Sequence, residues 1–164
     1  MSAYRVHKSQ IKNRESILEA IADLVSRNCH IPIEQARELV EKNIECHDEP
    51  VNLYGYKDDI RDDMAHIVAR RSFVRRYMGG GASNDAGWLL TEDGTYHAAI
   101  SDYDIGRWWG VAQPRFWQIA MTNEAILEAK AGGYALHRTE EKGNIKLEAV
   151  MVGSQGSTHS GGAW

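Results

Sequence analysis

Trp88-Leu89-Leu90-Thr91-Glu92-Asp93-Gly94-Thr95-Tyr96-His97-Ala98-Ala99-Ile100 is the stretch whose reading decides the fold. Two largely apolar runs flank Asp93-Gly94, and a glycine there takes the positive φ of a tight turn, so residues 88–91 and 95–100 read as an antiparallel hairpin. On its C-terminal side Pro114 opens a helix over residues 116–131, with Phe116, Ala120 and Leu127 on its inner stripe, and Gly132-Gly133 closes it. A second hairpin follows, from 134–137 back through 145–152, turning at Lys142-Gly143-Asn144. On the N-terminal side residues 4–10 alternate as a strand. Asn13 then starts a helix whose Ile17, Leu18, Ile21, Leu24 and Val25 recur at helical spacing, ending near Asn28. Another amphipathic helix follows Pro32 and ends near Cys46. Residues 51–56 read as a strand, 57–63 as an acidic connector, 64–74 as a further strand and 79–84 as a glycine-rich loop.

Helices separated by groups of strands predict an α+β fold, a mainly antiparallel sheet with two or three helices packed on one face. At 164 residues one domain over 1–152 accommodates this order, and residues 153–164 are a glycine- and serine-rich tail by composition. Apolar residues make up 43% and charged residues 26%, which excludes a disordered chain. Only Cys29 and Cys46 are present, too few for a disulfide scaffold, and no apolar run has the length of a membrane span. A cytoplasmic protein without membrane contact is the expectation.

The opening residues 4–13, Gly55-Tyr56, the 88–100 hairpin, Trp108-Trp109-Gly110, and Gly133-Tyr134 before the closing hairpin occur in an order that resembles a family of small proteins of the hypothetical chloroplast reading-frame type. That family spans cyanobacteria, plastids and other bacteria. Residues 33–46 and 70–84 look like insertions relative to it. The resemblance implies a compact α+β domain and supplies no catalytic residues.

The formal net charge of −4 conceals two opposed blocks. Residues 45–63 hold seven acids against two bases, whereas residues 64–81 hold four arginines and no acid. Arg70, Arg71, Arg75 and Arg76, with Tyr77 beside them and Gly79-Gly80-Gly81 following, carry the composition of an anion site, since guanidinium forks match phosphate and aromatic rings stack on bases. Pairing with the neighbouring aspartates is the plainer reading of the same arginines.

Trp108 and Trp109 are adjacent, and along a strand such neighbours face opposite ways, so one of them is expected at the surface. With Arg107 and Arg115 nearby, and Trp164 at the chain end, these residues have the composition of a protein-contact hot spot. Cys29-His30 and Cys46-His47 are metal-competent types, but a helix between the pairs holds them about 20 Å apart, too far for one zinc. Asp58, Asp59, Asp62, Asp63 and His66 carry enough oxygen ligands for Mg²⁺, though adjacent acidic pairs are more often a solvated connector. No serine lies in a GxSxG context, no phosphate-binding glycine motif occurs, and no cofactor is expected. The leading expectation is therefore a non-enzymatic accessory protein acting through protein contacts, as a homo-oligomer or within a larger complex. The alternative is an anion or single-stranded nucleic-acid binder using Arg70, Arg71, Arg75 and Arg76.

Overall fold

In the computed structural model, which describes residues 3–109 and 114–151, the order is β1 (Tyr4–His7), α1 (Arg14–Cys29), α2 (Ile33–Asn43), β2 (Glu45–Tyr54), β3 (Ile60–Ala69), α3 (Arg71–Tyr77), β4 (Ala86–Leu90), β5 (Tyr96–Ser101), α4 (Arg115–Ala131), β6 (Tyr134–Glu141) and β7 (Asn144–Met151). A short 3₁₀ turn, Tyr56–Asp58, joins β2 to β3, and a π-helical turn, Ile105–Trp109, follows β5. The fold is α+β with a mainly antiparallel sheet. It divides into two compact units, Met1–Met121 and Thr122–Trp164. No helix among the described residues is long and apolar enough to cross a membrane.

The first unit is a five-stranded antiparallel sheet in the order β1-β5-β4-β3-β2. The strands of the 88–100 hairpin pair Leu90 with Tyr96, and Gly94 takes φ +82° in the turn. Successive side chains of β4 leave opposite faces of the sheet, and its residues show what each face needs. Trp88 is wholly buried and meets Trp109 edge-on at 5.3 Å between ring centroids and Phe116 of α4 at 5.4 Å. α1 is buried through Ile17, Ala20, Ile21 and Val25. Gly87, one residue from Trp88, faces the opposite cluster of Leu53, Ala65, Val68 and Ala99. A Cβ there would stand 2.5 Å from that of Ala65, so only glycine fits.

Four expectations need correction. The 64–74 strand ends at Ala69, and Arg71–Tyr77 is a helix. The acidic connector is half strand, because β3 already starts at Ile60. β2 begins at Glu45 rather than Val51, its register with β3 shifting between Cys46 and Val51, and α2 stops at Asn43 to make room for it. Both Trp108 and Trp109 are buried, since they sit in a helical turn where the strand rule of alternation does not hold.

The second unit holds the C-terminal part of α4 and a two-stranded antiparallel sheet, β6-β7. Lys142 (φ 51°) and Gly143 (φ 79°) form its left-handed two-residue turn. Residues 152–164, the expected tail, lie outside the described residues.

Candidate binding cleft

Asp85 organises the basic segment. Its carboxylate is buried and accepts hydrogen bonds from Tyr54 N (2.9 Å), Arg71 N (2.9 Å) and Arg70 Nη1 (2.7 Å). Arg70 also forks onto Glu45, Nε to Oε1 at 2.7 Å and Nη2 to Oε2 at 2.8 Å, and its guanidinium lies over the Tyr54 ring. The Arg70 guanidinium holds the Glu45 carboxyl below its ordinary value. Arg71 donates to the Gly55 carbonyl at 2.8 Å and to Asp58 Oδ1 at 2.5 Å. Arg75 donates to the Ala82 carbonyl, and Arg76 lies over its neighbour Tyr77. The four arginines thus point to separate partners and do not converge on one anion.

The residues expected to contact a partner are scattered too. Trp109 packs against Trp88 and Phe116, while Trp108 donates its indole N–H to the Met78 carbonyl at 2.7 Å. Arg115 forks onto Asp23 with both bonds at 2.8 Å. Arg107 alone of this group is exposed, and Trp164 lies outside the described residues. Cys29 donates to the Tyr77 carbonyl, His47 contacts Glu45, and His66 accepts the Leu90 N–H on Nδ1 at 3.0 Å. Among the described residues no three His, Cys, Asp or Glu side chains converge as a metal site.

The arginine pairs do build something else. By holding Gly55 and Asp58, Arg71 fixes the 3₁₀ turn, where Lys57 (φ 62°) and Asp58 (φ 61°) both occupy the left-handed region. Two consecutive non-glycine residues there cost roughly 1 kcal/mol or more each, a strain that persists only where surrounding bonds hold it. Those bonds include Asp58 N to Gly55 O (3.1 Å), Gly55 N to Asp59 O (2.8 Å) and Tyr56 N to Asn84 Oδ1 (3.2 Å). The turn is one wall of a cleft of about 770 Å³ lined by Tyr56, Lys57, Asp59, Arg61, Ser83, Asn84 and Tyr103.

The floor is a second carboxylate knot. Asp104, 2% exposed, accepts from Ser83 N and Asn84 N, both at 3.1 Å, from Ser101 Oγ at 2.8 Å and from Asn84 Nδ2 at 3.2 Å. Asn84 therefore links the Tyr56 backbone to Asp104, one residue from the Tyr103 wall. These polar atoms bond one another, so the floor sets geometry and the exposed groups of the cleft are those of its walls.

Two exposed tyrosines line the cleft. Tyr56 is 61% exposed with the Lys57 ammonium 5.5 Å from its centroid, and Tyr103 is 51% exposed with the Arg107 guanidinium at 5.0 Å. Arg61 pairs with Asp59 at 3.0 Å and lies over Tyr4, whose hydroxyl donates to the Asp85 carbonyl at 2.8 Å. Burial and the Asp85 charge push the Tyr4 hydroxyl up, so it stays protonated as a donor. Sequence reasoning passed over Tyr56 as a strand residue and gave Tyr103 and Asp104 no role; the Gly55-Tyr56 step was the one available signal. Compared with protein-family models, with curated proteins and with solved structures, the chain matches none, so the reading of this cleft rests on its own geometry.

Proposed function

We propose that this chain is a binding protein whose cleft takes a ligand that joins a flat ring to an anionic group, the chemistry of single-stranded nucleic acid. The observation that carries the reading is the pair of exposed tyrosines lining one cleft, each with a cation over its ring. Aromatic faces stack on bases irrespective of sequence, and Lys57 and Arg107, each beside one of the cleft tyrosines, supply cations for flanking phosphates. The rigid floor supports this role, because walls already fixed in place lose little freedom on binding. The overall charge of −4 opposes a coating of long nucleic acid and favours a short bound segment.

Fluorescence anisotropy of a labelled oligothymidylate at low salt tests it. Binding is expected, weakening steeply with salt, and Tyr56→Ala should weaken it about 5-fold or more, the loss of one stacked base. A mononucleotide competitor separates recognition of the base and phosphate from recognition of the strand. No anisotropy change at low salt, or binding indifferent to Tyr56→Ala, overturns the proposal.

A further inference from the structure

The β6-β7 hairpin is a two-stranded sheet whose outer edges meet no further strand among the described residues. A pair of strands alone is marginally stable in water, and an open edge offers a row of backbone donors and acceptors. Native edges are usually guarded by proline, bulges or several lysines. β7, Asn144-Ile145-Lys146-Leu147-Glu148-Ala149-Val150-Met151, has no proline, one lysine and an unbroken register from Asn144 to Met151.

The hairpin is also two-faced. Its register sets Leu136 opposite Ala149, Arg138 opposite Leu147 and Glu140 opposite Ile145 on one face; His137 stands opposite Glu148 and Thr139 opposite Lys146 on the other. On β7 itself, half-buried Ile145 and Leu147 share one face with Ala149, while Lys146, Glu148 and Val150, the last 40% exposed, share the other.

We infer that the outer edge of β7 pairs antiparallel with the same edge of a second copy of this chain, about a two-fold axis through Leu147. Charge decides the occupant and the register. With Leu147 opposite its counterpart, Lys146 of each copy faces Glu148 of the other, and Ile145 faces Ala149, so the apolar and the charged side of β7 each continue onto the second β7. A two-fold axis at Lys146 sets lysine against lysine, and one at Glu148 sets glutamate against glutamate, both destabilising. An axis between residues mates the apolar face of one copy with the charged face of the other. The Leu147 register aligns residues 144–150 of both copies. The equivalent on β6, centred on Thr139, aligns only 137–141 because the turn follows Glu141. In one chain Lys146 Nζ and Glu148 Oε1 lie 2.9 Å apart with both side chains largely exposed, so both are placed to meet a second pair.

Sedimentation equilibrium of the full chain over a dilution series tests this independently of the cleft. A dimer is expected. Lys146→Glu and Glu148→Lys should each weaken it about 10-fold or more, as two symmetric attractive contacts become repulsive. Mixed in equal amounts, the two variants should recover a dimer at least as tight as the unmodified one, since every cross-strand pair is then opposite in sign. That recovery cannot come from misfolded chains. A monomer at all concentrations, a dimer unmoved by either substitution, or a mixture no tighter than its components would each overturn the inference.

Discussion

Arg70 Nη1 lies 2.7 Å from Oδ2 of Asp85, and this contact joins the end of β3 to the start of β4. Asp85 is 2% exposed and Arg70 23%, so removing the guanidinium leaves a buried carboxylate with only backbone donors. Breaking a fully buried pair costs about 3–5 kcal/mol; with Arg70 partly exposed and two backbone bonds kept, about 2–3 kcal/mol is expected for Arg70→Ala. Arg70→Lys should recover only part of this, because an ammonium cannot fork onto Glu45 while also reaching Asp85. Urea unfolding with an unchanged slope measures it. A loss under about 0.5 kcal/mol, the range of ordinary surface substitutions, would show that the contact does not organise the strands.

The same carboxylate explains why α3 was illegible in the sequence. Met64-Ala65-His66-Ile67-Val68-Ala69-Arg70-Arg71-Ser72-Phe73-Val74 reads as one strand because nothing local stops it. What stops it is Asp85, fourteen residues beyond Arg71, whose Oδ1 takes the first backbone N–H of the helix. Capping usually comes from the residue before a helix, so a cap supplied by another strand leaves no local mark. By contrast Asp93-Gly94, Gly133 and Lys142-Gly143 mark turns whose backbone demands are local, and each occurs where the sequence places it. The burial of both tryptophans is illegible for a related reason: neighbours face opposite ways along a strand, but β5 ends at Ser101 and residues 105–109 coil. The cleft was hidden because Tyr56, Asn84 and Tyr103 are brought together by Asp104 and Arg71, and their separation in sequence carries no motif.

Trp109 distinguishes a core role from an interface role. It is 1% exposed and sits edge-on to both Trp88 and Phe116, at 5.3 and 5.1 Å. Trp109→Ala is expected to cost about 3–5 kcal/mol through lost burial and the cavity left behind. Thermal or urea unfolding checks this. An interface residue would leave the stability of the isolated chain nearly unchanged, and that result would return Trp109 to the surface.

Acid should loosen the 88–100 hairpin through Asp93. Hydrogen bonds from Thr91 and Thr95 hold its carboxyl at about 2, below its ordinary 3.8. A depressed value in the folded state means the stabilisation is fully present above about pH 4 and is lost as pH falls through 4 toward 2. Asp93 is fully exposed, so the effect is one of direction. Asp93→Asn should flatten the pH dependence of stability between pH 4 and 2 and leave the slope above pH 5 as it was. An unchanged slope in the acid range would remove Asp93 from the titration.

Tyr103 separates stacking from hydrogen bonding in the cleft. Its hydroxyl accepts a bond from Arg107 Nη2 at 3.2 Å, yet the proposed contact to a base uses the ring. Tyr103→Phe should therefore keep most of the affinity for a labelled oligothymidylate, while Tyr103→Ala should lose about 1–3 kcal/mol, roughly 5- to 150-fold. Arg107→Ala should act differently again. Removing one phosphate contact lowers the slope of log affinity against log salt by about 1, a change neither tyrosine variant produces. Arg76, stacked on Tyr77 and not on either cleft tyrosine, serves as the contrast to Arg107, which lies over Tyr103, and Arg76→Ala should leave that slope in place. Equal losses for Tyr103→Phe and Tyr103→Ala would make the hydroxyl, not the ring, the recognising group. A slope altered by Arg76→Ala and not by Arg107→Ala would move the anion to α3, where the sequence first placed it.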